Sequence, residues 1–173
     1  DMTLDELKAL LSALQQERAT LEAAAKAAGM TADEIKKYPS NAELQQAINE
    51  KQKAQREDLI KQIRKYDPSY DGSNKTLEQL VADLKAKQEA EQQKQNLIND
   101  IKALAAELGV TVTDQELAAM SLEQLAAKKQ DLANQKQLMN EIIAKIKELK
   151  PDYNPAGKTL EQLQQDLADL QQN

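Results

Sequence analysis

Thr76-Leu77-Glu78-Gln79-Leu80 is a five-residue motif that recurs along the chain and predicts where its helices begin. A hydroxyl residue is followed three positions later by Glu or Gln, which is the spacing of a helix capping box. The hydroxyl accepts a hydrogen bond from a free backbone N–H in the first turn, and the later side chain accepts one from the N–H of the cap residue. The motif returns at 121–125 and 159–163, more loosely at 3–7, and keeps only its polar frame at 40–44. We therefore expect five long helices.

The composition is typical of long helices. The 173 residues include no Phe, Trp, Cys or His, and Ala, Leu, Gln, Lys and Glu dominate. A core without large aromatic rings has to be filled by Leu, Ile, Val, Met and Ala, so it is narrow, as between a few packed helices. The sequence predicts an all-α fold of long antiparallel helices, arranged as tandem coiled-coil or helical-bundle repeats with short capping helices at the hairpin ends.

Apolar residues at alternating three- and four-residue steps predict the buried faces of these helices. The long helices are expected over 4–28, 40–66, 77–108, 122–149 and from 160 onward. The first helix has the most regular stripe, formed by Leu4, Leu7, Leu11, Leu14, Leu21, Ala25 and Ala28. Gly29 and Gly109 are placed to end helices in a left-handed turn. Connections of roughly 9 to 12 residues favour antiparallel neighbours.

The same features recur with a period of about 82 residues, which indicates an internal duplication. Small capping boxes at 31–35 and 113–117 correspond, as do Tyr70 and Tyr153. The first helix is about seven residues shorter than its counterpart, and a one-heptad deletion keeps a coiled-coil seam in register. We expect three segments: a first repeat over 1–75, a second copy over 76–158, and the start of a third copy or a terminal capping helix over 159–173.

Two of the long helices have polar middle sections. Between 49 and 58 the only apolar residue is Ala54, and between 85 and 96 there are only Ala86 and Ala90. Because each buried Leu or Ile contributes about 1.5–3 kcal/mol, stability should concentrate at the helix ends. Two interpretations stay open for the middles: a two-stranded stalk solvated on most sides, or a docking surface or hinge for another helix.

Charge and residue types argue against several classes of protein. The formal net charge of −6, with mixed signs along the helices, provides no basic face for nucleic acid or anionic lipid. No apolar run approaches the roughly 20 residues that span a bilayer. Without Cys or His, with most hydroxyls at cap positions and with acidic residues interleaved with Lys, the sequence predicts no catalytic site and no small-molecule substrate. The four glycines fall at helix junctions and not in a phosphate-binding loop.

One loop resembles a metal-binding motif. Residues 67–78 place oxygen-bearing side chains at the first, third, fifth and twelfth positions: Asp67, Ser69, Asp71 and Glu78. With Gly72 at the sixth position and helices on both sides, the loop resembles the twelve-residue calcium loop of the EF-hand family over these residues alone. The resemblance implies calcium as a ligand. The alternative is a polar turn between helices with no cofactor, because the duplicate loop at 152–161 is shorter and loses the spacing.

Tyr70 and Tyr153 stand at matching positions in the two polar loops. They are candidate contact residues for a partner. The alternative is that each ring packs on the end of the adjacent helices and leaves its hydroxyl in water.

The leading hypothesis is a non-enzymatic structural or interaction module, namely an elongated spacer, stalk or scaffold segment of a repeat-containing bacterial surface or secreted protein. We expect a protein partner, or self-association through the helices, and neither nucleic acid nor membrane. The lack of Cys fits an extracellular or cell-surface location and also fits the cytoplasm. The alternative function is a self-assembling helical subunit of a filament or virion. The opening residues Asp1-Met2 suggest a processed product or a piece of a longer chain.

Overall fold

The computed structural model describes residues 1–172, and in that range it is all-α with no strand. The helices are α1 (Leu4–Ala27), α2 (Ala32–Lys36), α3 (Asn41–Ile63), α4 (Leu77–Leu108), α5 (Asp114–Ala118), α6 (Leu122–Leu149) and α7 (Leu160–Gln172). The predicted fold class is confirmed at this level, and the second long helix ends three residues earlier than expected.

Contacts within the chain define two compact units. Unit 1 is Asp1–Lys87 and unit 2 begins at Gln88, so that α4 contributes to both. The expected boundary at 75/76 follows the sequence motif, whereas the unit boundary follows contacts, and the first turns of α4 pack with the segment that precedes them. The division of the sequence into 1–75, 76–158 and 159–173 stays a prediction.

The helices begin where their capping boxes predict. Thr3, Thr31, Ser40 and Ser121 each exchange both capping-box hydrogen bonds with the Glu or Gln three residues later. The motif at 76–80 does the same, since Gln79 N donates to Thr76 Oγ1 (3.2 Å) and Thr76 N to Gln79 Oε1 (2.9 Å). Gly29 follows α1 with φ +84°, and Gly109 follows α4 with φ +68°, as a left-handed helix ending requires.

In unit 1 the long helices α1 and α3 run in the same direction. Asn41 Nδ2 donates to the carbonyl of Leu14 (3.5 Å) and Gln55 Nε2 to that of Ala28 (2.8 Å), and both contacts join residues 27 positions apart. A constant separation means that both helices advance together. The start of α4 also runs in the direction of α3. Arg56 Nη2 donates to the carbonyl of Ser73 (2.9 Å), just before α4, and Lys87 Nζ lies 3.2 Å from Asp67, just beyond the end of α3.

Unit 2 has the same arrangement for α4 and α6. Lys129 Nζ lies 2.8 Å from Asp100, 29 residues earlier, and Lys136 Nζ lies 2.5 Å from Glu107 at the same separation. The short helix α5 runs in the opposite direction beside α4. Its first residue pairs with Lys102 and its last offers a carbonyl to Lys94 Nζ (2.7 Å).

The expected antiparallel pairing of the long helices is therefore wrong, and so is the placement of the short helices at hairpin ends. Segments 28–40 and 109–121, which contain α2 and α5, lead the chain back along the helix that it has just left. The returning segment is the antiparallel element, and the next long helix starts beside the middle of the previous one. The connection returns along the preceding helix because its short helix packs there. Ile35 of α2 and Leu117 of α5 are buried in the same core clusters as residues of α1 and α4.

The leucine stripe of α1 is buried only in its second half. Leu21, Ala25 and Ala28 are buried and form a core cluster with residues of α2 and α3. In contrast Leu4, Leu7, Leu11 and Leu14 are between 46 % and 67 % exposed, and every residue from 1 to 17 is exposed. The predicted seam is wrong over this half, because α3 begins beside Leu14 and Arg18 and leaves the preceding turns of α1 without a neighbour in unit 1.

The polar middle of α3 coincides with a change of neighbour. Its buried residues are Leu44, Ala47 and Ile48 near the start and Ile63 at the end. Between 49 and 58 no residue is buried. The first half of α3 faces α1 and α2, whereas the last turns face the segment that leads into α4, so apolar residues are needed only at the two ends.

Gly72 allows the segment between α3 and α4 to approach both helices closely. A Cβ at this position would lie 2.7 Å from Ile60 Cγ1 and 2.9 Å from Leu80 Cδ2. Leu80 is fully buried, so the first turns of α4 are held to α3 through contacts on both sides of this glycine.

We predict that Gly72→Ala destabilises unit 1 by about 1–3 kcal/mol, because the methyl group forces the stiff Ile60 side chain and Leu80 apart. Urea unfolding followed by circular dichroism measures the loss. Asn74→Ala is the matched control, since Asn74 is exposed in the same loop, and it should stay within about 0.5 kcal/mol. Equal stability of the Gly72→Ala protein and the wild type would contradict the close packing.

Candidate functional site: two tyrosine turns

The first tyrosine turn, residues 64–76, is shaped by its own aspartates. Asp67 Oδ1 accepts hydrogen bonds from the backbone N (3.2 Å) and hydroxyl (2.7 Å) of Ser69. Asp71 Oδ1 accepts a bond from Ser73 N (3.0 Å) in the same manner. These are Asx turns, in which a short carboxylate side chain replaces a backbone carbonyl and bends the chain. Local hydrogen bonds between near neighbours in the sequence therefore shape this loop.

Tyr70 ties the first tyrosine turn to α4. Its hydroxyl donates a short hydrogen bond to Asp83 Oδ2, and Lys75 Nζ lies 3.3 Å from the same oxygen. Desolvation of the half-buried phenol, with the hydrogen bond to the Asp83 carboxylate and its charge, raises the pKa of Tyr70 to about 12. The hydrogen bond from Tyr70 lowers the pKa of Asp83, with help from Lys75 and Lys87. At neutral pH the Asp83 carboxylate thus lies between the neutral phenol of Tyr70 and the side-chain nitrogen of Lys75.

The second tyrosine turn, residues 150–159, makes the same contact with α7. Tyr153 donates to Asp166 Oδ2, and the spacing of 13 residues from Tyr to Asp equals that in the first turn. Lys158 Nζ also bonds Asp166 Oδ2 and lies 5.4 Å from the centre of the Tyr153 ring, within range of a cation–π contact.

The charges of the second turn are more tightly coupled than those of the first. The bond to Lys158 is the main cause that lowers the pKa of Asp166, and the same bond raises the pKa of Lys158. Desolvation raises the pKa of Tyr153, although Lys158 works against the shift.

These two clusters hold turns against helices. Each contains a phenol, a carboxylate and an ammonium group, and each hydroxyl is already engaged within the chain. A partner at either turn would meet the ring and not a free hydroxyl. The role of Tyr70 and Tyr153 as contact residues stays a prediction.

Sequence reasoning found both tyrosines but missed the carboxylates that bind them. Asp83 and Asp166 lie on helix faces where a surface ion pair is the common interpretation of a charged residue. The signal was available, because a Tyr is followed by an Asp at the same interval in both halves of the chain, with Lys75 and Lys158 at matching positions between them.

Three of the four candidate calcium ligands, Asp67, Ser69 and Asp71, make hydrogen bonds within the chain. Asp67 holds Ser69 with one oxygen and Lys87 Nζ (3.2 Å) with the other, and Asp71 holds the backbone of Ser73. Glu78 is exposed in the first turn of α4. Within residues 1–172, no three acidic, His or Cys side chains lie together as a metal would require. Calcium binding by this loop stays a prediction, which calorimetric titration with Ca²⁺ would test.

Two findings lie outside the tyrosine turns. Over residues 1–172, no helix has both the length and the apolar content needed to cross a membrane. Searches against protein-family models, curated proteins and solved structures give no match to this chain.

We predict that Tyr70 ionises near pH 12 and that Asp83→Asn moves its titration to lower pH, because the carboxylate charge that opposes the phenolate is removed. Ultraviolet absorbance of a protein that keeps Tyr70 as its one tyrosine measures this. Asp166→Asn in the same background is the control and should leave the titration unchanged. A titration that ignores Asp83→Asn would refute the proposed cause.

The same shifts fix the sign of the pH dependence of stability. Because the folded pKa of Tyr70 is raised, its contribution is fully present below the unfolded pKa near 10 and is lost as the pH rises through about 12. Because the folded pKa of Asp83 is lowered, its contribution is present above the unfolded value and is lost as the pH falls through the folded one.

Proposed function

We propose that this chain is a non-enzymatic structural and interaction module, an elongated spacer, stalk or scaffold segment built from tandem copies of one helical unit. The observation that carries the proposal is the recurrence of the tyrosine turn. Tyr70 with Asp83 and Tyr153 with Asp166 form the same hydrogen bond at the same spacing, each next to a fully buried leucine, Leu80 or Leu163. Two unrelated helical surfaces are not expected to share both the Tyr–Asp hydrogen bond and the buried leucine three residues before the Asp.

The packing within each unit supports a repeating design. A long helix contacts its predecessor along one part of its length and its successor along another, with a returning segment in between. Stability in such an arrangement is close to a sum of local contacts, and further units can be added without a new kind of interface. Tandem coiled-coil packing in the strict sense would require continuous seams, and α1 shows that the stripe can run beyond its neighbour.

A spacer also accounts for the chemistry of the chain. The groups with shifted pKa values are acidic residues in caps and turns, the aspartates Asp83 and Asp166 on helices, two tyrosines and Lys158. Each is engaged by a neighbour in a cap, in a turn or between a turn and the adjoining helix. The residues that sequence analysis set aside as catalytic candidates serve here to begin helices and bend loops. We extend the proposal to an extracellular or cell-surface location, which the lack of Cys fits as it also fits the cytoplasm. A protein partner is proposed because the chain has no basic face for nucleic acid.

The alternative function is a self-assembling helical subunit of a filament or virion. The exposed leucines of α1 favour it, because an apolar stripe without a neighbour promotes association.

Small-angle scattering tests elongation. A compact domain of this length has a radius of gyration of about 16 Å, and we expect a clearly larger value for a spacer. The measurement should be extrapolated to low protein concentration, because association alone also raises the value. A radius near that of a compact domain at every concentration would refute the spacer.

Paired core substitutions test whether the two units behave as separate copies. Leu80→Ala and Leu163→Ala should each cost about 2–5 kcal/mol, because both side chains are fully buried at equivalent positions. We expect amide hydrogen exchange to accelerate around α3 and the start of α4 in the first variant, and around α6 and α7 in the second. Acceleration throughout the chain in both variants would indicate one shared core and contradict the proposal.

A further inference from the structure

The first tyrosine turn ends with a sequence triplet that serves as a glycan acceptor in secreted proteins. Asn74-Lys75-Thr76 has the form Asn-x-Ser/Thr, with a middle residue other than Pro. Among the asparagines of the sequence, Asn74 is the one that stands in such a triplet. Because so short a pattern also arises by chance, the surroundings of Asn74 decide whether it can act as an acceptor.

Asn74 has neither of the structural roles that asparagine usually has in a turn. Asparagine bends a loop by accepting a bond from a backbone N–H two residues on, or it adopts a left-handed backbone conformation. Asn154 in the second tyrosine turn has the first role, since its Oδ1 accepts a bond from Ala156 N (3.1 Å). The exposed side chain of Asn74 makes no hydrogen bond within residues 1–172, and glycines alone have a positive φ in that range. Its amide group is therefore free.

The second tyrosine turn shows that the fold does not need asparagine at this position. Alignment of the helix caps Thr76 and Thr159 places Gly157 where the first turn has Asn74. A lysine lies between the two aligned residues in both turns, and each lysine pairs with the aspartate that accepts the tyrosine hydroxyl. The tyrosine contact, the lysine and the cap thus form in the second turn without an amide side chain at this position.

We propose that Asn74 is an acceptor for N-linked glycosylation. The transfer joins Asn74 Nδ2 to the anomeric carbon of an oligosaccharide that a polyprenyl diphosphate carries. The bond from that carbon to the diphosphate oxygen breaks, the diphosphate leaves with the electron pair, and it takes up the proton that the amide loses. The inference rests on the extracellular location in the proposed function, because such a transfer belongs to the secretory route.

Thr76 supplies the hydroxyl that the triplet requires, and its role as a helix cap is compatible with this. Its Oγ1 accepts a hydrogen bond from Gln79 N (3.2 Å). A hydroxyl has one donor and two acceptor sites, so the cap leaves its O–H free to donate.

The folded turn has room for a glycan on Asn74. Its buried contacts are made by Gly72 and Leu80, whereas Ser73, Asn74 and Thr76 are exposed. A sugar on Asn74 Nδ2 therefore extends into solvent and displaces no packed side chain. It covers the first tyrosine turn and leaves the second one bare.

Expression of the full chain behind a cleavable secretory signal in cultured mammalian cells tests the acceptor. We expect the intact mass, from medium and cell lysate, to exceed that of the bare chain by one oligosaccharide. An amidase that releases N-linked glycans should remove the excess and leave Asp at position 74 in the tryptic peptide. Asn74→Gln should lose the excess mass entirely. Asn140→Gln is the matched control, since Asn140 is exposed on α6 outside any such triplet, and it should keep the glycan.

Two variants of Thr76 separate glycosylation from helix capping. Ser and Asp both cap helices well, but only Ser completes the triplet. Thr76→Ser should therefore keep the glycan and Thr76→Asp should lose it, with α4 capped in both. Equal glycosylation of these two variants would contradict the assignment.

Two results would overturn the proposal. One is a wild-type chain that passes through the secretory route with the bare mass. The other is a lower urea midpoint for unglycosylated Asn74→Gln than for the unglycosylated wild type, because it would give Asn74 a structural role. Neither result bears on elongation, which scattering from the unglycosylated chain measures separately, so the acceptor site and the spacer can fail independently.

Discussion

The structure depends on the offset between successive long helices, because each neighbour covers only part of the length of a helix. The chain leaves α1 and α4 through segments that double back, so the next long helix starts halfway along the previous one and runs in the same direction. The helix α3 therefore meets two neighbours in succession. Burial concentrates where a partner lies, and the residues between partners are free to be polar, as the middle of α3 shows.

Sequence reasoning succeeded where a structural feature depends on a few adjacent residues. Capping boxes, the glycines that follow α1 and α4, and the bounds of α4 and α6 are local, and they follow from the side chains that form them. The direction of the helices is not local. It depends on whether the connection reverses at the helix end or runs back along the side of the helix. The buried side chains of Ile35 and Leu117, which follow the helix-ending glycines by six and eight residues, hold the connection along the side.

The polar contacts divide in the same way. Asp71 and one oxygen of Asp67 bind within their own loop, so their role in a turn could be predicted from the sequence. Asp83 and Asp166 act across a distance of 13 residues, from a helix to a loop, and a carboxylate on an exposed helix face has no sequence feature that names its partner. The repeated interval supplies such a feature, because a Tyr followed by an Asp after 13 residues at two places in the chain is more informative than either pair alone.

The leucine stripes that open α1, α4 and α7 show that similar sequences differ in burial when their neighbours differ. All begin with a capped Thr-Leu pair and place leucines one, four and eight residues after the Thr. Leu80 and Leu163 are nevertheless fully buried, whereas Leu7 is 49 % exposed. The difference is the neighbour: Asp83 and Asp166 each bind a tyrosine of the preceding turn, whereas α1 has Leu10 at the matching position. The burial of a leucine stripe therefore follows from the elements that pack beside it and not from the spacing of its leucines.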